Sequence, residues 1–99
     1  MGLIVIDVVI TSHNQGDQIR DAVDSVLAQS IPASPLVVDD GSTEALSLTV
    51  LADLEARGVR VLRQANAGVS AARNAGVSAT TSPLVAVLDG DDAFEPTFL

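Results

Sequence analysis

Leu36-Val37-Val38-Asp39-Asp40-Gly41-Ser42-Thr43 is the stretch on which the fold turns. Three apolar residues with no polar alternation run straight into two acids, a glycine and two hydroxyl residues. Such a run suits a strand buried on both faces, as in a parallel sheet. Its abrupt polar end suits a strand–loop–helix junction. Ser42 or Thr43 then caps a helix over 44–57, and Gly58 stands where a C′ glycine belongs. Leu51, Leu54 and Val50 are the residues of that helix expected to turn inward.

The same grammar repeats on both sides. Strand-like runs rich in Val, Ile and Leu occupy 3–10, 36–39, 59–62 and 84–88. A first helix is predicted over 15–29, with Ile19, Val23, Val26 and Leu27 on one face. Asn14 would cap it, Asp17 would favour its dipole, and the Ile31-Pro32 step would stop it. A third helix is predicted over 69–79, where Ala71, Ala72, Ala75 and Gly76 allow close approach to a sheet. The order β-α-β-α-β-α-β implies parallel strands joined by right-handed crossovers. The expected fold is therefore α/β, a three-layer α/β/α Rossmann-like arrangement with a parallel sheet in the order 3-2-1-4. Glu95-Pro96 reads as the opening of a fourth helix, so residues 1–99 are expected to be the front part of a larger, truncated domain. The fourth strand would then leave an exposed apolar edge, open to dimer formation with a second copy.

Composition removes several classes of function. Thirteen acids against five bases give a net charge of -8, which disfavours nucleic acid as a partner. All five bases are arginine, so a Schiff-base lysine and a Walker A loop are both excluded. With no cysteine there is no disulfide, thiolate nucleophile or cysteine-bound zinc, and a single histidine cannot build a multi-histidine metal site. No signal peptide, myristoylation signal or 18-residue apolar span is legible, which makes the cytoplasm the expected location, with membrane association left to other regions.

In an open α/β sheet, ligands bind beyond the carboxyl ends of the strands. Those ends carry Thr11-Ser12-His13-Asn14, Asp39-Asp40-Gly41-Ser42-Thr43, Gln64-Ala65-Asn66-Ala67-Gly68 and Asp89-Gly90-Asp91-Asp92. The topology brings all four to one rim. Five carboxylates there, Asp39, Asp40, Asp89, Asp91 and Asp92, would repel each other if bare. A bound divalent cation relieves that repulsion, and carboxylate oxygens suit Mg²⁺ or Mn²⁺. Asp-x-Asp at a strand end, with Gly90 letting the backbone turn, could bring two carboxylates to one centre. Taken singly, each cluster has a plainer account: a turn and helix cap for 39–43, a solvated loop for 89–92, a loop histidine, a surface ion pair for Arg73.

Taken in order, these stretches resemble the N-terminal part of a family 2 glycosyltransferase with the glycosyltransferase A fold. The resemblance rests on Val8 through Asn14, Ser25-Val26-Leu27-Ala28-Gln29, Val37 through Thr43, Asn66 through Gly76, and Leu88 through Asp92. It implies a nucleotide-sugar donor, probable base uracil and hence UDP, and transfer with inversion to a hydroxyl of a glycan, lipid or other acceptor. It further implies that Thr11 and His13 lie by the base and that Asp39 accepts a hydrogen bond from it. Arg73 would run along the nucleotide, and Asp89 would reach the ribose. Asp91 would coordinate Mn²⁺ or Mg²⁺, with Asp89 as a second candidate ligand and Asp92 as an extra carboxylate. His13 stands where many members have tyrosine, and Thr11-Ser12 lacks a frequent proline. Transfer needs a general base to deprotonate the acceptor. The family draws that base from a later segment, so none is assigned here. The competing readings are a non-catalytic nucleotide-sugar-binding module, an acidic Mg²⁺-binding receiver-type signalling domain and a metal-dependent phosphohydrolase. The last two want a lysine that this chain lacks and an acidic motif after the first strand.

Overall fold

The computed structural model describes residues 5–82 and 84–90. Along the chain run β1 (Ile6–Ser12), α1 (Gln18–Leu27), β2 (Ala33–Asp40), α2 (Ala45–Ala56), β3 (Arg60–Gln64), α3 (Val69–Ala79) and β4 (Val85–Asp89). The four strands form one sheet in the order β3-β2-β1-β4. Every neighbouring pair is parallel. The predicted class and strand order are what the structure shows. The start expected for the first strand at residues 3 and 4 lies outside the described residues.

Strand pleating sorts the side chains into two faces. Val8, Ile10, Val37 and Leu88 pack with Ile19, Val23 and Val26 of α1 and Val50, Leu51 and Leu54 of α2. Val9, Leu36 and Val38 lie on the other face, covered by Ala72 and Ala75 of α3. Both faces of β1 and β2 are therefore apolar, which is why these strands show no alternation. At the sheet's N-terminal end, the buried carboxylate of Asp7 accepts from Arg60 Nη2 at 2.9 Å, and the same nitrogen donates to Ser34 Oγ at 3.0 Å.

Two helix expectations need correction. Leu27 is not an inward residue: it is 52% exposed, and Ala22 fills the inner stripe with Ile19, Val23 and Val26. Leu27 ends the helix one position past that stripe, where the face has rotated off the sheet. Nor does Asn14 cap α1, which begins later, at Gln18 behind Asp17, with no side-chain cap bond. Asn14 adopts a left-handed backbone and reaches across the chain instead. Its Oδ1 accepts from the amides of Thr43 and Glu44 at 2.8 and 3.0 Å, so it supplies the α2 cap expected from Ser42 or Thr43. Gly58 does follow α2 with a positive φ, as the sequence implied.

α3 keeps its predicted limits and lies low on the sheet because of Gly76. A Cβ there would overlap the Val9 side chain and meet Val38 Cγ2 at 3.0 Å. On the far side of β1, β4 ends the sheet among the described residues. Val85 and Val87 on its α3-side face are 37% and 42% exposed, so the apolar edge foreseen from sequence is present.

Gly76→Ala tests the close approach. Alanine adds about 0.5–1 kcal/mol of intrinsic helix stability. Overpacking against two fully buried valines costs about 1–3 kcal/mol. Urea unfolding is expected to show a net loss of about 1–2 kcal/mol. An alanine variant as stable as the parent would mean that α3 is not held this close.

Candidate functional site

The register decides which polar residues meet at the strand ends. Thr11 stands beside Asp89 on β4 and Val38 on β2, and Gln64 stands beside Asp40. All of these lie on the face that carries α3. Beyond them opens a cavity of about 410 Å³, whose lining includes Thr11, His13, Asp40, Asn66, Asp89 and Gly90. α1 and α2 fill the opposite face, so the space is left on the side covered by one helix.

One wall is built on Asp89. Its Oδ1 accepts from Thr11 Oγ1 at 3.2 Å and from Arg73 Nη2 at 3.0 Å. Both side chains of the ion pair are 43% exposed, so it contributes well under 1 kcal/mol to stability and serves chiefly to aim its partners. Gly90 does more than permit a turn: a Cβ there would overlap the carbonyl oxygen of Thr11, so β4 can end against β1 only with glycine at this position.

The other wall is built on Asp40. Its Oδ1 accepts from Gln64 Nε2 and from the Ala67 amide, each at 2.8 Å, and its Oδ2 accepts from the Gly68 amide at 2.9 Å. Its carbonyl oxygen lies 2.7 Å from His13 Nδ1 and accepts from Asn66 Nδ2 at 3.1 Å. The Gln64 side chain, then the Ala67 amide, hold the Asp40 carboxyl below its ordinary value of 3.8, with Gly68 and the nearby His13 adding to the effect against the opposing pull of burial.

Asp39, assigned to the base by resemblance, is placed elsewhere. It is 3% exposed and does not line the cavity. Its carboxylate accepts from the Ser42 amide at 3.0 Å and makes a short hydrogen bond with the Ser42 hydroxyl. The reason is pleating: Asp39 is one residue from Asp40 and so points to the opposite face. Thr11, His13, Arg73 and Asp89 are brought together around the cavity. Asp91 and Asp92 lie outside the described residues. Among the described residues, no group of three His, Asp or Glu side chains is placed to hold a metal ion. The crowded-carboxylate argument also changes, because Asp39, Asp40 and Asp89 each have their own donors. The sequence reading missed Gln64 and undervalued Asn66; their signal was position, since both sit where β3 ends beside Asp40.

The family model for glycosyl transferase family 2 matches residues 7–99. The succinoglycan biosynthesis protein ExoU of Rhizobium meliloti (strain 1021) is 41% identical over 91 residues, covering 90% of this chain and 27% of ExoU. The glycosyltransferase YibD of Escherichia coli (strain K12) is 38% identical over 96 residues, covering 93% of this chain and 27% of YibD. The chain thus spans about a quarter of the length of these relatives. Among solved structures, S. aureus TarS 1-349 in complex with UDP superposes with a TM-score of 0.79 at 21% identity, covering 93% of this chain and 29% of that one. The mannosyltransferase PcManGT from Pyrobaculum calidifontis, in complex with GDP-Man and Mn²⁺, gives 0.72 at 21% identity, covering 90% and 28%.

The Asp40 clamp predicts a pH signature. A carboxyl whose folded value is depressed contributes stability above its unfolded value and loses it as pH falls through the folded one. Asp40→Asn is therefore expected to lower the unfolding midpoint at pH 7, and the gap from the parent should close as pH drops below about 3.8. A gap that stays constant from pH 7 to pH 2.5 would show that the carboxylate charge is not what holds residues 67 and 68.

Proposed function

The chain belongs to glycosyl transferase family 2, and from that premise we propose that residues 1–99 form the donor-binding front of an inverting, metal-dependent transferase. It takes a sugar from a nucleotide-sugar, with UDP as the carrier, and passes it to an acceptor hydroxyl on a glycan, lipid or other molecule in the cytoplasm. The observation that carries this reading is the cavity beyond the strand ends, with Thr11, Asp89 and Arg73 on one side and His13, Asp40 and Asn66 on the other. The nucleotides held by TarS and PcManGT support it at the level of ligand class.

In this scheme His13 lies by the base. Of the paired acids, Asp40 rather than Asp39 faces the nucleotide, because only Asp40 lines the cavity. Asp89 reaches the ribose, and Arg73 lies along the nucleotide. A divalent cation fits the donor set: Asp89 is half exposed with both of its bonds on Oδ1, and Asp91 follows two residues on. When bound, such a cation supplies charge stabilisation to the departing diphosphate. The acceptor oxygen forms a bond to the anomeric carbon from the face opposite the nucleotide. The anomeric C–O bond breaks, the nucleoside diphosphate leaves with the electron pair, and the acceptor proton passes to a base contributed by chain following Leu99.

Calorimetry on the intact protein tests the binding half, with UDP titrated in Mn²⁺, in Mg²⁺ and in chelator. Removing the metal is expected to weaken UDP binding more than tenfold, and Asp91→Asn should erase most of that difference. Metal-independent binding that survives Asp91→Asn would rule out the metal-bridged site. Donor binding with no sugar transfer to any acceptor would identify a non-catalytic binding module instead.

A further inference from the structure

We infer that His13 determines which base the cavity accepts, by presenting a hydrogen-bond acceptor that selects bases carrying a ring N–H. This rests on the donor-site reading above and deepens it. The argument begins at the Asp40 carbonyl oxygen, 2.7 Å from His13 Nδ1. A carbonyl oxygen can only accept, so Nδ1 must carry a proton. A neutral imidazole has one N–H, so Nε2 keeps its lone pair. The ring lines the cavity and is exposed, with Nδ1 turned to the cavity wall, which leaves Nε2 as the ring's polar atom for a ligand.

Asn66 reinforces the polarity. Its Nδ2 donates to the same carbonyl at 3.1 Å and stands 3.3 Å from His13 Nδ1. Two donors thus converge on one oxygen, and both side chains turn their acceptor atoms, Nε2 and Oδ1, away from it. Uracil and guanine carry a ring N–H on their pairing edge. Cytosine and adenine carry a lone pair at that position, which would face the Nε2 lone pair. The site therefore favours the first two bases and disfavours the second two.

Protonation reverses the preference. Imidazolium offers a donor at Nε2, which suits cytosine. The charged groups around the ring are Asp40 from β2, Asp89 from β4 and Arg73 from α3; Thr11, Gln15 and Asn66 are neutral. Charge acts on the diphosphate of every nucleotide alike, so the ratio of affinities isolates the contribution of the base.

The test is calorimetry on the intact protein with UDP, GDP, CDP and ADP in Mn²⁺ at pH 7.5 and pH 5.5, on the parent and on His13→Phe. In the parent at pH 7.5, UDP and GDP should bind about tenfold more tightly than CDP and ADP, the value of one directed hydrogen bond against a lone-pair clash. The UDP-to-CDP ratio should fall at pH 5.5. His13→Phe keeps an aromatic face and should hold a small ratio at both pH values. If that variant does not fold, the parent's pH series and the imidazole ¹⁵N shifts decide, with a protonated Nδ1 expected. An unchanged ratio in His13→Phe, a pH-independent ratio in the parent, or an Nε2–H tautomer would overturn the assignment while leaving donor binding intact. Failure of all four nucleotides to bind would overturn the donor site itself, and this inference with it.

Discussion

Asp40 is the residue on which the site depends. A carboxylate this deeply placed is tolerated only when donors replace the water it has lost. Here the donors are a side-chain amide from the end of β3 and two consecutive backbone amides leading into α3. The same residue's carbonyl takes two more donors, from His13 after β1 and Asn66 after β3. One residue thus ties together the ends of β1, β2 and β3 and the start of α3. The cavity wall keeps its shape because loosening any of these segments would strip Asp40 of a donor.

Where the cavity opens follows from how unequally the two faces are covered. α1 and α2 supply large apolar side chains to one face and leave no space there. α3 supplies Ala72, Ala75 and the bare backbone of Gly76 to the other, so it lies close to β1 and β2 without spreading over β4. Arg73, one residue past the buried Ala72, is thereby within reach of Asp89 across the uncovered strand. The small residues of α3 are the reason a long cation can span from helix to strand end at this position.

Much of the architecture was legible because it depends on local chemistry. Continuous apolar runs marked strands buried on both faces, and the alternation of strands with amphipathic or small-residue segments set the topology. The site was less legible for the same reason. With Val37 and Val38 both buried, hydropathy carries no parity along β2, and nothing in the sequence says whether Asp39 or Asp40 turns toward α3. The helix caps failed differently. Capping rules look a few residues along the chain, whereas Asn14 caps α2 from about thirty residues away. Leu27 failed because a helical stripe has an edge, and apolar character alone does not say on which side of it a terminal residue falls.

The acidity of the rim needs a different explanation from the one its sequence suggests. Adjacent carboxylates seem to demand a cation because they repel. Yet Asp39 and Asp40 point to opposite faces, each satisfied by its own donors, and Asp89 is paired with Arg73. The folded rim is stable without a metal at these three positions. A diphosphate changes the balance: it adds negative charge to a chain already at -8, beside an arginine whose charge is shared with Asp89. Amide donors stabilise a carboxylate locally without cancelling its charge, so they do little to offset the field an incoming anion meets. The case for a divalent cation therefore comes from the charge of the donor rather than from crowding within the protein, and it bears on donor affinity rather than on folding.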